Sequence, residues 1–530
     1  MGGSGGDGGD DIGGFAGGPV GAGGGGDTGG FAGGPVGGGG GGDTGGIAGG
    51  SVGGAGPPGG GAAEGASGAV AARSTATGGG DWQSYVRRLE ELAQRSGLSF
   101  YPVEFEAVPD TFMMEIAVYG LPVRMPHWSF GVRYIYQLIQ RHMGHSRVFE
   151  VVFPGNPGHA YLARSNGLAE NVLVTAHVLG HADFSRNNLL FRRCQEQVSE
   201  HIVEHAASHA RQIEQAIESY GLKRVEAVLD AALALEQHID VDQRLRRERY
   251  PEYLPDAKHL VDDEFRRRFE ALDPTAAKNV FETRKRAPIP PHPERDLLWF
   301  VATYAPEMES WERDIFLAVR EESFYFYPVF ATQIMNEGWA SYWHARLLRE
   351  ADFVPQQAYV DAIKCHSDVV RPIAAGQQVA LAINPYHLGF SMWERIIETE
   401  GLESARQIME QDDDFSFIRN HLTRELAEKL GLFRFTARTD GHIKVLDHDL
   451  AALQDTLLAP KYNFGAPSVS VGHLRHDGTL ELVHDHATDG RGLDLERSRK
   501  VLEYLRAVWR RPVVLRTVDQ NGSPLELSAA

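Results

Sequence analysis

The feature that most constrains this chain is a change of material near residue 80. Of its 61 glycines, 40 fall within residues 1–80, where three near-copies of one sixteen-residue unit succeed each other: DIGGFAGGPVGAGGGG, DTGGFAGGPVGGGGGG and DTGGIAGGSVGGAGPP. A glycine backbone loses more entropy on ordering than any other, and these units carry few apolar side chains to offset that loss. Residues 1–80 are therefore expected to be a disordered Gly-rich tail, and any core must come from residues 81–530.

From DWQSYVRRLEELAQRSGLSF (81–100) onward the apolar residues take helical spacing, with Leu89, Leu92 and Leu98 on one face. Prolines at 102, 109, 122 and 126 mark a short extended section. Helical patterns then dominate to about residue 432, most clearly over 195–220, 223–238, 296–322, 328–350 and 389–410, with breaks such as APIPPHP (287–293). Past LGLFRF, strand-like runs (SVSVGHL, TLELVHDH, RPVVLRTV) surround one helical stretch, DLERSRKVLEYLRAVW. The expected fold class is mainly α: a helical core domain over 81–432 with a short extended N-terminal section, then a small α+β domain over 433–530.

Charge and cysteine content narrow the function classes. With 52 Lys and Arg against 71 Asp and Glu the formal charge is −19, which disfavours nucleic acid and anionic membrane as partners. No run of eighteen apolar residues exists, so no membrane span is expected. The two cysteines, Cys194 and Cys365, form no CxxC pattern and argue against a disulfide framework or a thiolate zinc site. No basic segment followed by an apolar stretch opens the chain, so the expected compartment is the cytoplasm.

Two segments carry chemistry. In LVTAHVLGHADFSRNN (173–188), His177 and His181 are four residues apart and share a helix face, with Asp183 just beyond. Two imidazoles so placed can bind one metal, as in HExxH zinc helices, but position 178 is Val and the general-base glutamate is missing. A pair of ordinary surface histidines is the competing reading. In MNEGWASYWHARLL (335–348), Glu337 and His344 lie about two turns apart on one face, among Trp339, Tyr342 and Trp343. Gly338 inside that helix costs about 1 kcal/mol relative to Ala. Together the segments offer His177, His181, Glu337 and His344, a set suited to zinc, iron or manganese rather than calcium or magnesium. The stripe His201, His205 and His209 reads as a solvated, pH-sensitive face, and His366 as a lone structural histidine. REESFYFYP adds Glu321 and Glu322 upstream of the Glu337 helix, while no GxSxG, P-loop or strand-flanked GxGxxG is present.

AHVLGHADFSRNN, IMNEGWASYWH and INPYHLGFSMWE resemble the hallmark blocks of the stage V sporulation protein R (SpoVR) family, with supporting blocks YGLPVRMPHWSFG, HARQI, PERDLLWFVATYAPEMESWERDI and REESFYFYP. The resemblance runs from about residue 82 to 432 and more loosely beyond. It implies a link to sporulation, through formation of the spore cortex, a modified peptidoglycan, or to stress physiology. By family context it also implies a serine protein kinase and a von Willebrand A-type protein as partners.

These residues support two functional expectations. In the first, the chain is a metal-dependent hydrolase of the peptidase or amidase kind. His177, His181 and Glu337 hold the cation, His344 is fourth ligand or proton shuttle, and Asp183, Glu322 or Glu337 is the general base. In the second, the chain is a non-enzymatic regulator or assembly factor whose polar cluster is structural. A di-iron oxidase ranks behind both, because no ExxH pair sits in the key blocks.

Overall fold

The computed structural model describes residues 12–16, 82–113, 150–198, 201–242, 288–370, 384–437, 443–445, 449–459, 461–462, 466–489, 492–519 and 522–529. The segment expected as a disordered tail lies outside the described residues apart from the short extended stretch Ile12–Ala16. The described residues are mainly helical, with small sheets, and they fall into two units. One takes in residues 35–211 and 324–461, the other 212–323 and 462–530.

The first unit carries helices α1 (Trp82–Arg95), α2 (Leu168–Asn187), α3 (Gln333–Glu350), α4 (Gln356–Val369), α5 (Pro385–Glu400), α6 (Leu402–Gln411) and α7 (Asp414–His421). One of its two three-stranded sheets among the described residues has β1 (Val103–Val108) parallel to β3 (Gly158–Ala163), and β3 antiparallel to β2 (Glu150–Phe153). Both α2 and α3 are buried on nearly every side, so neither has the polar stripe of a surface helix. α3 packs between α2 and α5, with Trp339, Trp343, Trp393 and Phe417 in the core around it.

Small residues set how close those helices come. A Cβ placed on Gly180 of α2 would lie 2.7 Å from Ala340 Cα of α3. One on Gly338 would lie 2.3 Å from the backbone of Gly389 in α5, and one on Gly389 would lie 2.0 Å from the Ile334 carbonyl oxygen. Gly338 therefore offsets its helix penalty by letting α3 and α5 touch backbone to backbone. The N-terminus of α3 is capped from outside, since buried Asp414 accepts from the amides of Ile334 (3.0 Å) and Met335 (2.9 Å) and pairs with Lys461 (2.8 Å). A carboxylate there satisfies free N–H groups and opposes the positive end of the helix dipole.

The second unit holds a four-stranded sheet of β4 (Val469–Leu474), β5 (Leu480–His484), β6 (Val513–Val518) and β7 (Pro524–Ala529). β5 and β6 run parallel and the outer pairs antiparallel. The connection between the parallel strands is the helix Leu495–Trp509, which buries Val501, Leu502, Leu505 and Trp509.

Candidate metal centre

α2 and α3 together build the site. His177 and His181 emerge one turn apart from α2, and Glu337 faces them from the first turns of α3; all three are buried. His177 Nε2 lies 3.0 Å from His181 Nε2, and each lies 3.5 Å from Glu337 Oε2. That oxygen is shielded from solvent and has no hydrogen-bond partner. Ligand atoms held tetrahedrally at metal distances of about 2.0–2.1 Å lie about 3.3 Å from each other, so the triangle is close to one face of such a shell. Among the described residues these three are the group of His, Cys, Asp and Glu whose ligand atoms could hold a metal ion, all within 4.8 Å of one another.

The outer ring nitrogens are also engaged. His181 Nδ1 lies 2.9 Å from Asn336 Oδ1, an acceptor, so Nδ1 carries a proton and the neutral ring would present its Nε2 lone pair to a bound cation. His177 Nδ1 lies 2.9 Å from His344 Nδ1, and His344 Nε2 lies 2.5 Å from His366 Nδ1. Three imidazoles thus form a continuous chain from the centre to α4. Tyr386 of α5 stacks on His177 with ring centroids 6.1 Å apart, and its hydroxyl bonds the Glu337 carboxylate.

Burial and charge oppose each other here. Burial pushes the Glu337 carboxyl up, but the imidazoles of His181 and His177 outweigh it and hold the group at about 2. Burial pushes His181 down, and Glu337 more than reverses this, leaving it raised. His177 is lowered by burial and by His181 beside it. Burial, with other histidines adjacent, drives His344 well below its usual value, and His366 is brought to about 4.

His344 and Asp183 take other partners. His344, expected as a fourth ligand, meets the ring nitrogen of His177 that points away from Glu337, so it backs a ligand instead of joining the set. Asp183, expected as a base, turns its oxygens to the Ser99 amide (2.7 Å) and to Trp339 Nε1 (2.9 Å), where it ties α2 to α3. Glu322, the other expected base, is buried in the helix Ser310–Ala331 and belongs to the second unit. Sequence reasoning missed Asn336, Tyr386 and Glu150, and took His366 for a lone histidine. Asn336 lies inside the block IMNEGWASYWH and Tyr386 inside INPYHLGFSMWE, while Glu150 is a single charge in the apolar run VFEVVF. A charge so placed is itself a signal, since burial without a purpose is costly.

The family model described as SpoVR like protein matches residues 80–465. The uncharacterized protein YcgB of Escherichia coli is 28% identical over 494 residues, an alignment covering 84% of this chain and 94% of that protein. No solved structure matches the chain.

Proposed function

The chain belongs to the SpoVR family, and from its buried histidine–carboxylate centre we propose that it is a metal-dependent hydrolase of the peptidase or amidase kind. The observation that carries this reading is the buried triangle of His177 Nε2, His181 Nε2 and Glu337 Oε2, whose oxygen accepts no hydrogen bond. Two imidazoles and one carboxylate suit zinc, iron or manganese and leave a coordination position open, as catalytic sites require. A cation held by His177, His181 and Glu337 would supply a water of lowered pKa and a Lewis acid for a carbonyl oxygen. The protein's own residues do the rest. Asn336 fixes the His181 tautomer. His344, backed by His366, accepts the Nδ1 proton of His177 and turns its Nε2 toward the centre. The Tyr386 hydroxyl orients the Glu337 carboxylate. A peptide-like bond in a cell-wall polymer is the substrate class consistent with the family's name, and a serine protein kinase and a von Willebrand A-type protein are the partners proposed from family context.

The test is release of new amino groups from peptidoglycan-derived peptides by the full-length protein. Activity should vanish with a chelator, return with added metal, and be absent in His177→Ala. Failure of the metal-loaded protein to cleave any peptide or amide of that panel would favour a second reading, a non-enzymatic regulator. One observation supports that alternative: Glu337 and His181 already balance each other's charge, so the cluster can be a self-satisfied polar network.

A further inference from the structure

The α2 helix lacks the glutamate that serves as base in HExxH sites, because Val178 is next to His177. A second carboxylate is nevertheless present, from a different element. Glu150 of β2 is 4% exposed, and its Oε2 is shielded from solvent with no hydrogen-bond partner.

The packing directs it to the centre. Val152 of β2 and Ala160 and Leu162 of β3 pack against Val174 and Val178 of α2. Side chains two apart on a strand share a face, so Glu150 is on the face of Val152 that meets α2. On α2 the stripe that begins Val174, Val178 continues to His181 one turn later. Glu150 stands opposite Leu162 in the β2–β3 ladder, at the edge of the same cluster. Its electrostatic neighbours agree. Burial pushes its carboxyl up to about 8, His181 draws it down and Glu337 pushes it up, while Glu150 in turn acts on His181 and Tyr386.

We infer that Glu150 is the second carboxylate of the His177–His181–Glu337 centre, holding the water that fills the open coordination position. This rests on the metal-centre reading of the proposed function. Glu150 is outside the set of ligand atoms that lie within 4.8 Å of one another, as suits a carboxylate that reaches the cation through an intervening water about 2.7 Å away. The assignment gives its free oxygen a partner, and it places in space the carboxylate that the helix omits in sequence. Outer carboxylates of this kind raise metal affinity as well as orient the bound water.

The experiment is calorimetric titration of Zn2+ into metal-stripped full-length wild type, Glu150→Gln and His177→Ala. Support requires that wild type binds, that His177→Ala does not, and that Glu150→Gln binds about 10–100-fold more weakly. Equal affinity of Glu150→Gln and wild type overturns the inference while leaving the metal reading intact. No binding by wild type ends the metal reading, and this inference with it. If Glu150→Gln does not fold, Glu150→Asp, which keeps the carboxyl group but withdraws it by one methylene, is read against the same two outcomes.

Discussion

Glu337 sits where burial alone would keep a carboxyl protonated, yet its two imidazole neighbours hold it ionised. The same coupling raises His181, which burial by itself would lower. Replacing Glu337 by Gln in the metal-free protein should therefore bring the His181 pKa below 6.5, read by NMR titration of the ring protons. An unchanged value would mean that the pair is not coupled. A second buried histidine gives a pH signature of its own. Burial holds His238, in the second unit, at about 4 against an ordinary 6.5. The unfolded chain takes up that proton first, so stability is full above pH 6.5 and falls as pH drops toward 4, by about 3 kcal/mol from this group. Denaturant melts of His238→Leu, compared with wild type at about pH 7 and about pH 4.5, either side of the ordinary histidine value, should show a shallower loss in the variant.

At the scale of elements, the centre depends on how closely α3 lies between its neighbours. Gly389→Ala would drive a methyl into the Ile334 carbonyl, so α3 and α5 must part, at a cost of about 1–3 kcal/mol or more. Trp343 is fully buried, and Trp343→Ala should cost about 3–5 kcal/mol, measured as a loss of denaturation midpoint. Near-neutral results at both positions would refute this packing. Much of the element pattern was legible in the sequence: His177 and His181 share a face, Glu337 meets them, and β4 to β6 fall on the strand-like runs. The helix ends were less so. The pattern over 296–322 reads as one helix, but the chain breaks after Tyr304 at Ala305-Pro306 and a new helix starts at Ser310. The pattern over 389–410 likewise divides at Gly401, whose φ of 88° ends α5. What no periodicity reports is contact between distant segments. Gly338 reads as a local penalty until Gly389 is beside it, and Glu150 reads as a stray charge until β2 is laid on α2.

For the molecule as a whole, the family match begins at residue 80, where the Gly-rich composition ends. Deleting residues 1–80 should leave the thermal midpoint unchanged, and a drop of several degrees would show that the segment packs on the rest. No helix among the described residues is long and apolar enough to cross a membrane. Whether buried His177, His181 and Glu337 hold a transition metal is read by elemental analysis of the purified full-length protein. Zinc, iron or manganese should be bound stoichiometrically to wild type and lost in His177→Ala and in His181→Ala, both still folded by circular dichroism. Wild type without metal after incubation with each of the three, or metal retained in full by both variants, would contradict this expectation.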